Sequence, residues 1–276
     1  MILITNDDGI SSPGILALRT ALADLDSVFV VAPDRERSSI GMAITLHHPL
    51  RSTQVSTDIY AVDGTPVDCV DLAIASLMPQ PPTLIVSGIN KGENLGHDVH
   101  FSGTLAAARK GVLLGIPAIA ISLVGWRGNR SQESMSTGHE QDHSLSQDLI
   151  KATIDDTLEA YQPACQIACR LVKQVLSKEI PNGSLLNVNI PNVPLAEIGD
   201  FTVTRQDRGG YSALAVKRAD RYGNPYYWIG GERARSDIGH DTDIYALQQN
   251  QVSVTPITVD LTDYQHLNSL KNWINN

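Results

Sequence analysis

Residues 1–5, MILIT, are a short and almost wholly apolar run, and it breaks at once into Asn6-Asp7-Asp8-Gly9 and then Ser12-Pro13. A run of that kind suits a strand buried on both faces, as parallel sheets require. Ser12 as N-cap with Pro13 at N1 opens a helix, and Ile15, Leu18, Leu22 and Leu25 fall on one of its faces. The alternation then repeats. Residues 28–32 read as strand, Thr65-Pro66 as a helix start with Asp68 at N3, 83–87 as strand, 103–114 as helix and 117–123 as strand. Strand and helix in this order predict a Rossmann-like α/β fold, a mostly parallel sheet flanked by helices with right-handed crossovers. Segments 43–51 and 59–63 read as a smaller antiparallel excursion.

The middle and end of the chain differ. Residues 126–160 are rich in Ser, Gln, His, Asp and Glu, with little apolar periodicity, and read as an exposed insertion. A helix over 163–178 and a strand over 185–190 follow. Segments 201–204, 226–229 and 252–259 read as strands in Gly-rich, hairpin-like surroundings. Thr262 with Gln265 reads as a capping box for a last helix carrying Leu267, Leu270, Trp273 and Ile274. The expected division is a Rossmann-like domain over 1–200 and a smaller β-rich region over 201–276. At about 100–200 residues per domain, a chain of 276 residues accommodates one large unit or two unequal ones.

Composition narrows the function classes. A formal net charge of −9 disfavours coating of duplex nucleic acid. No apolar run approaches the roughly 18 residues of a membrane helix, and the N-terminus has no basic region of a signal peptide. The expectation is a cytoplasmic protein with no membrane partner. Cys69, Cys165 and Cys169 are odd in number and give no disulfide framework. Cys165 and Cys169 read as small buried hydrophobes rather than metal ligands.

The chemistry concentrates after the strands. In parallel α/β sheets, ligands bind at the carboxyl ends of the strands. Asp7 and Asp8 follow the first strand and form a hard-oxygen site suited to Mg²⁺, Mn²⁺ or Ca²⁺; the alternative is that both acids cap the helix at Pro13. Ser38, after the second strand, and Asn90, after the strand at 83–87, would complete the shell with neutral oxygens. Phe101-Ser102-Gly103-Thr104 precedes an Ala-rich helix, and a Ser-Gly-Thr turn there favours an anion such as phosphate, with plain N-capping as the alternative. No G-x-G-x-x-G follows the first strand, so dinucleotide binding is disfavoured.

NDDGI, APDRERS, GTPVDCV, SGINKGENLG and FSGT, in this order, resemble the SurE family, the survival-protein 5′/3′-nucleotidases. The similarity continues through LLNVNIP, RYGNPYYWIG and VSVTPITVDL. The resemblance implies a metal-dependent 5′/3′-nucleotidase that hydrolyses nucleoside monophosphates and uses one divalent cation, with short polyphosphate as a further candidate substrate. It places the metal ligands on Asp7, Asp8, Ser38 and Asn90, and the phosphate loop on Ser102, Gly103 and Thr104. Asn94 is a candidate amide donor to the phosphate. His97 stands where the family usually has an acid, with Asp98 after it.

Direct attack by water is the expected mechanism, with Asp7 or Asp8 helping to take its proton. The competing route makes one of them a covalent phosphoryl acceptor, but enzymes of that kind typically separate their acids by one residue. A nucleotide-sugar transferase would need acceptor and donor motifs that are not found. A non-catalytic nucleotide-binding module would lack the full ligand set. Residues 205–235 are locally basic and hold Tyr211, Tyr222, Tyr226, Tyr227 and Trp228. Aromatics and Arg are enriched at interface cores, and the resemblance also implies oligomers. The expectation is a homodimer or homotetramer in which residues 209–239 pack on a neighbouring subunit.

Overall fold

The computed structural model describes residues 1–125, 158–178, 180–209, 214–230 and 239–274. The expected insertion at 126–160 lies outside them as far as residue 157, as do 210–213 and 231–238 of the expected arm.

The first half builds as the apolar runs require. Strand β1 (Ile2–Thr5), helix α1 (Pro13–Leu22), β2 (Val28–Pro33), β3 (Ser52–Ser56), β4 (Ile59–Val62), α2 (Pro66–Leu72), β5 (Leu84–Lys91), α3 (Gly103–Leu113) and β6 (Ala118–Leu123) follow in order. Then come α4 (Gln162–Ser177), β7 (Ser184–Ile190), β8 (Phe201–Val203), β9 (Leu214–Ala219), β10 (Pro225–Gly230), α5 (Asp243–Gln248), β11 (Val252–Thr258) and α6 (Leu267–Ile274). Nine strands form one sheet in the order β3-β4-β2-β1-β5-β6-β7-β11-β8. The run β4-β2-β1-β5-β6-β7 is parallel, β3 and β11 pair antiparallel to their neighbours β4 and β7, and β8 lies parallel to β11. Strands β8 and β11, from the region beyond residue 200, thus continue the same sheet.

Period-two side-chain alternation sorts the core into two layers. Ile2 and Ile4 join Val30, Val86, Ile119 and Ile121 on the face covered by α1 and α4. Leu3 joins Phe29, Val31 and Ile85 on the face covered by α2 and α3. All four residues of β1 are buried, as a strand covered on both sides must be. Helix α4 buries one stripe, Ala164, Cys165, Ile167, Ala168, Leu171 and Val172. At about 1.5–3 kcal/mol per large aliphatic side chain, that stripe outweighs the weak propensity of its β-branched residues. The three cysteines are free thiols, and burial pushes Cys165 up to about 12, in keeping with a packing role.

Three local expectations are corrected. Residues 43–51 form no strand; the partner of β4 is β3, slightly later in sequence. The cause is α2. Its N-cap Thr65 donates to the Ala43 carbonyl (2.8 Å), and Asp68 accepts from the Thr45 amide (2.9 Å) and hydroxyl (2.6 Å), pinning that stretch away from the sheet. Ser12 makes no cap with its side chain; its hydroxyl instead accepts from the Asn6 amide at 2.7 Å. The last helix starts at Leu267 rather than just after Thr262, because Asp260 and Asp263 capture the Thr262 and His266 amides in local turns. Thr65 and Asp68 do form the reciprocal capping box.

Candidate active site

Strand β1 ends in a turn built by Asn6. Its buried amide donates to the Gly9 carbonyl and to Ser12, and its oxygen accepts from the Gly9 amide. The turn delivers Asp7 and Asp8 to the carboxyl edge of the sheet. The turn after β2 is tied in when the Arg37 amide donates to the Asp7 carbonyl at 2.7 Å, bringing Ser38 alongside. Asn90 is the penultimate residue of β5, beyond a register shift between Ser87 and Asn90, and its side-chain nitrogen donates to the Gly92 carbonyl at 2.9 Å. That leaves the amide oxygen of Asn90 as the atom with the chemistry to hold a cation. Asp7, Ser38, Asn90, Asn94, Asp98 and Ser102, with Ser39, Lys91, Gly92, Glu93 and Phe101, line one cleft of about 530 Å³.

Asp7 is 4% exposed and lies against the start of α3. The Thr104 hydroxyl donates to its Oδ1 at 2.5 Å, and a Cβ on Gly103 would sit 2.7–2.8 Å from the Asp7 side chain. Burial pushes the Asp7 carboxyl above the ordinary carboxylate range, against the opposing pull of Thr104 and the Gly103 N–H. Asp8 is pushed up to about 7, first by burial and then by the charge of Asp7, while the Lys91 N–H at 3.1 Å pulls the other way. Two acids side by side, both pushed up by burial and with no Lys or Arg ion pair to either among the described residues, are a site short of positive charge. The donor set fits a hard divalent cation with oxygen ligands. Among the described residues no three His, Cys, Asp or Glu converge, so any shell here draws on neutral oxygens such as those of Ser38 and Asn90.

The anion side is more divided than its sequence suggests. Ser102 caps α3 by accepting from the Leu105 amide at 3.1 Å, yet it lines the cleft and keeps its own O–H to donate. Thr104 is fully buried and spends its hydroxyl on Asp7, so it acts through that carboxylate. Ser38 is exposed and donates to Glu36 at 2.7 Å. Asn94 sits 5% exposed at the cleft wall with its amide donating inward to Ser122 at 2.8 Å. His97 is exposed, its ring 6.3 Å from that of His100; Asp98 is the residue of the pair that lines the cleft.

Supporting residues escaped the sequence reading. The Asn189 side chain accepts from the Asn94 amide (2.8 Å) and donates to its carbonyl (3.2 Å), and Asn187 donates to that carbonyl at 2.9 Å. The available signal was two Asn at alternate positions of an otherwise apolar strand, a pattern that packing alone does not call for.

A cleft that sets an acidic sheet edge against a helix N-terminus, on a Rossmann-like sheet between two helical layers, is the layout of an α/β protein of the phosphoester-handling class. The chain matches the family model described as survival protein SurE over residues 2–213 and belongs to that family. It is 43% identical to 5′-nucleotidase SurE of Geobacter sulfurreducens over 273 residues, covering 99% of this chain and 93% of that protein. It is 44% identical to 5′-nucleotidase SurE of Pelobacter propionicus, covering 99% of each. The crystal structure of the SurE protein from Aquifex aeolicus superposes with a TM-score of 0.80 at 39% identity, covering 100% of this chain and 99% of that one.

Proposed function

We propose that this chain is a divalent-metal-dependent nucleotidase that hydrolyses the phosphoric monoester of nucleoside monophosphates. The observation that carries the reading is the cleft in which Asp7, Ser38 and Asn90 face the Ser102 end of α3, with Asp8 next to Asp7 and accepting from the Lys91 amide at 3.1 Å behind the cleft lining. The names of the relatives support the activity. Asp7, Asp8, Ser38 and Asn90 would hold one divalent cation, which when bound supplies Lewis-acid polarisation of the phosphoryl group and an acidified water. Ser102 donates its O–H to a phosphoryl oxygen, and the N-terminal dipole of α3 stabilises the charge that builds on it. Asp8, less buried than Asp7, would accept the proton of the attacking water. Asp7 is committed to Thr104 and packed on Gly103, which disfavours it as a covalent phosphoryl acceptor.

The substrate test is phosphate release from 5′- and 3′-nucleoside monophosphates and from short polyphosphate. Ser102→Ala should lower kcat/KM for the monophosphates about 10-fold, equivalent to roughly 1–2 kcal/mol, and weaken inhibition by inorganic phosphate. Unchanged values for both would leave Ser102 a helix cap and nothing more.

Self-association completes the reading. Among the described residues, strands β9 and β10 pair only with each other, and Val216, Tyr227, Trp228 and Ile229 on them are exposed. Isolated two-stranded hairpins are marginal in water, and with Trp228 opposite Val216 on one face and Tyr227 and Ile229 on the other, this one exposes apolar side chains on both faces. A homodimer or homotetramer covers it. Deleting residues 212–233 and closing the gap with a short turn should convert the species to monomer in analytical ultracentrifugation. A wild-type chain that sediments as a monomer at micromolar concentration would refute the assembly. Among the described residues no helix is long and apolar enough to cross a membrane.

A further inference from the structure

The turn from Gly92 to Phe101 forms much of one wall of the cleft, and its middle is held from behind by residues far along the chain. Gly96 is the pivot. Its amide donates to Asp243 Oδ2 at 3.0 Å, and its carbonyl accepts from the Gln206 side chain. The next amide, His97, donates to the Gly209 carbonyl at 3.4 Å. Gly96 is left-handed, at φ +52°, and a Cβ there would stand 2.8 Å from the Gly209 carbonyl oxygen, so backbone meets backbone with no side chain between.

Asp243 organises both sides of this contact. It is fully buried at the first position of α5, where Thr242 caps the helix. Its Oδ1 accepts from the Asp207 amide (3.0 Å) and the Ile244 amide (2.8 Å), while Oδ2 reaches Gly96. The 205–209 segment is tied to the same place through the Asp243 amide, which donates to the Arg205 carbonyl at 3.0 Å. One buried carboxylate therefore satisfies three backbone donors from three segments. That arrangement fixes their relative positions, since each donor left unpaired in the interior would be costly.

On the cleft side the pivot separates two fixed points. Asn94 is held to β7 by Asn187 and Asn189. Asp98 accepts from the Phe101 and Ser102 amides through its carbonyl, joining the turn to the N-cap of α3. The position of Gly96 thus sets where Asp98 and Ser102 stand relative to Asn90 and Asn94.

We propose that Asp243 is a positioning residue for the reaction: it locks the Gly96 pivot from the C-terminal region and so aligns the Asp98–Ser102 wall of the cleft. The inference rests on the nucleotidase reading for its kinetic arm only. Misalignment of groups that act on the phosphoryl centre lowers turnover more than it lowers binding of the whole nucleotide.

The test compares wild type, Asp243→Asn and Gln206→Ala by hydrogen exchange of peptides covering residues 92–101, and by kcat and KM for a nucleoside monophosphate. Asp243→Asn keeps the shape but places an NH₂ against one of the backbone donors. It should strip protection from 92–101 while β1 and β6 stay protected, and lower kcat 10- to 100-fold with KM within about threefold. Gln206→Ala should act in the same direction, with a loss of about threefold. Should Asp243→Asn fail to fold, Gln206→Ala decides. Unchanged protection at 92–101 would overturn the clasp whether or not the chain hydrolyses nucleotides. Lost protection with unchanged kcat, or activity that falls only in proportion to the unfolded fraction, would overturn the positioning role.

Discussion

Asp8→Asn should abolish turnover of nucleoside monophosphates, by 1,000-fold or so, and at the same time make the metal-stripped protein more stable. The activity loss follows from removing one of the two charges proposed to hold a hard cation. The stability gain follows from linkage. The folded Asp8 carboxyl titrates at about 7 and the unfolded one near 3.8. Between those values the folded chain keeps a proton that the unfolded chain has lost, so stability falls as pH rises through that window and stays low above it. Asn carries no such charge. In chelator at pH 8, Asp8→Asn should therefore melt above wild type, by an amount corresponding to about 1–3 kcal/mol after allowance for partial solvent access. Near pH 4 the two should converge. A chelated Asp8→Asn that melts below wild type at pH 8 would show that the acid pair is not strained by its own charge.

Gly103→Ala should cost about 100-fold in kcat/KM while leaving the fold intact, the second large effect. Helix α3 gains intrinsic propensity from the change, so a folding argument alone forecasts a neutral or stabilising substitution. The new methyl, however, would lie 2.7–2.8 Å from the Asp7 side chain. Asp7 is short, buried and bonded to Thr104, so it has no room to yield without leaving its position. A displacement of a few tenths of an ångström in a cation ligand is enough to lose most of the turnover. Circular dichroism and melting temperature would check the fold, and titration with Mn²⁺ would report the weakened cation site. Wild-type kcat/KM in Gly103→Ala would show that Asp7 tolerates the shift or has no part in the chemistry.

The parallel half of the fold was legible because its strands are buried on both faces, which forces continuous apolar runs such as 28–32 and 117–123. The grouping of the cleft residues was legible for a related reason, although Asp8, Gly103 and Thr104 are not among those that line it. Strand ends converge at one edge of a parallel sheet, so Asp7, Ser38, Asn90 and Ser102 could be grouped from their places after successive elements, and the structure brings all four to one cleft. Strand β9 was missed because LAVKRA, exposed along its whole length, carries no alternation to read. That the Thr104 hydroxyl turns inward to Asp7 was not legible, since a Ser-Gly-Thr turn gives no sign of which hydroxyl faces outward. The hold on Gly96 was invisible, because Gly96 and Asp243 are 147 residues apart and no local pattern marks a side chain that accepts from distant backbone.

Phosphate release from AMP by wild type and Asp8→Asn, each first in chelator and then with excess Mn²⁺, tests the central claim most directly. Wild type should be silent in chelator and active once the cation is restored, and Asp8→Asn should be silent in both. Turnover by wild type in chelator, or full turnover by Asp8→Asn with Mn²⁺, would contradict a cation held by the paired acids at the end of β1.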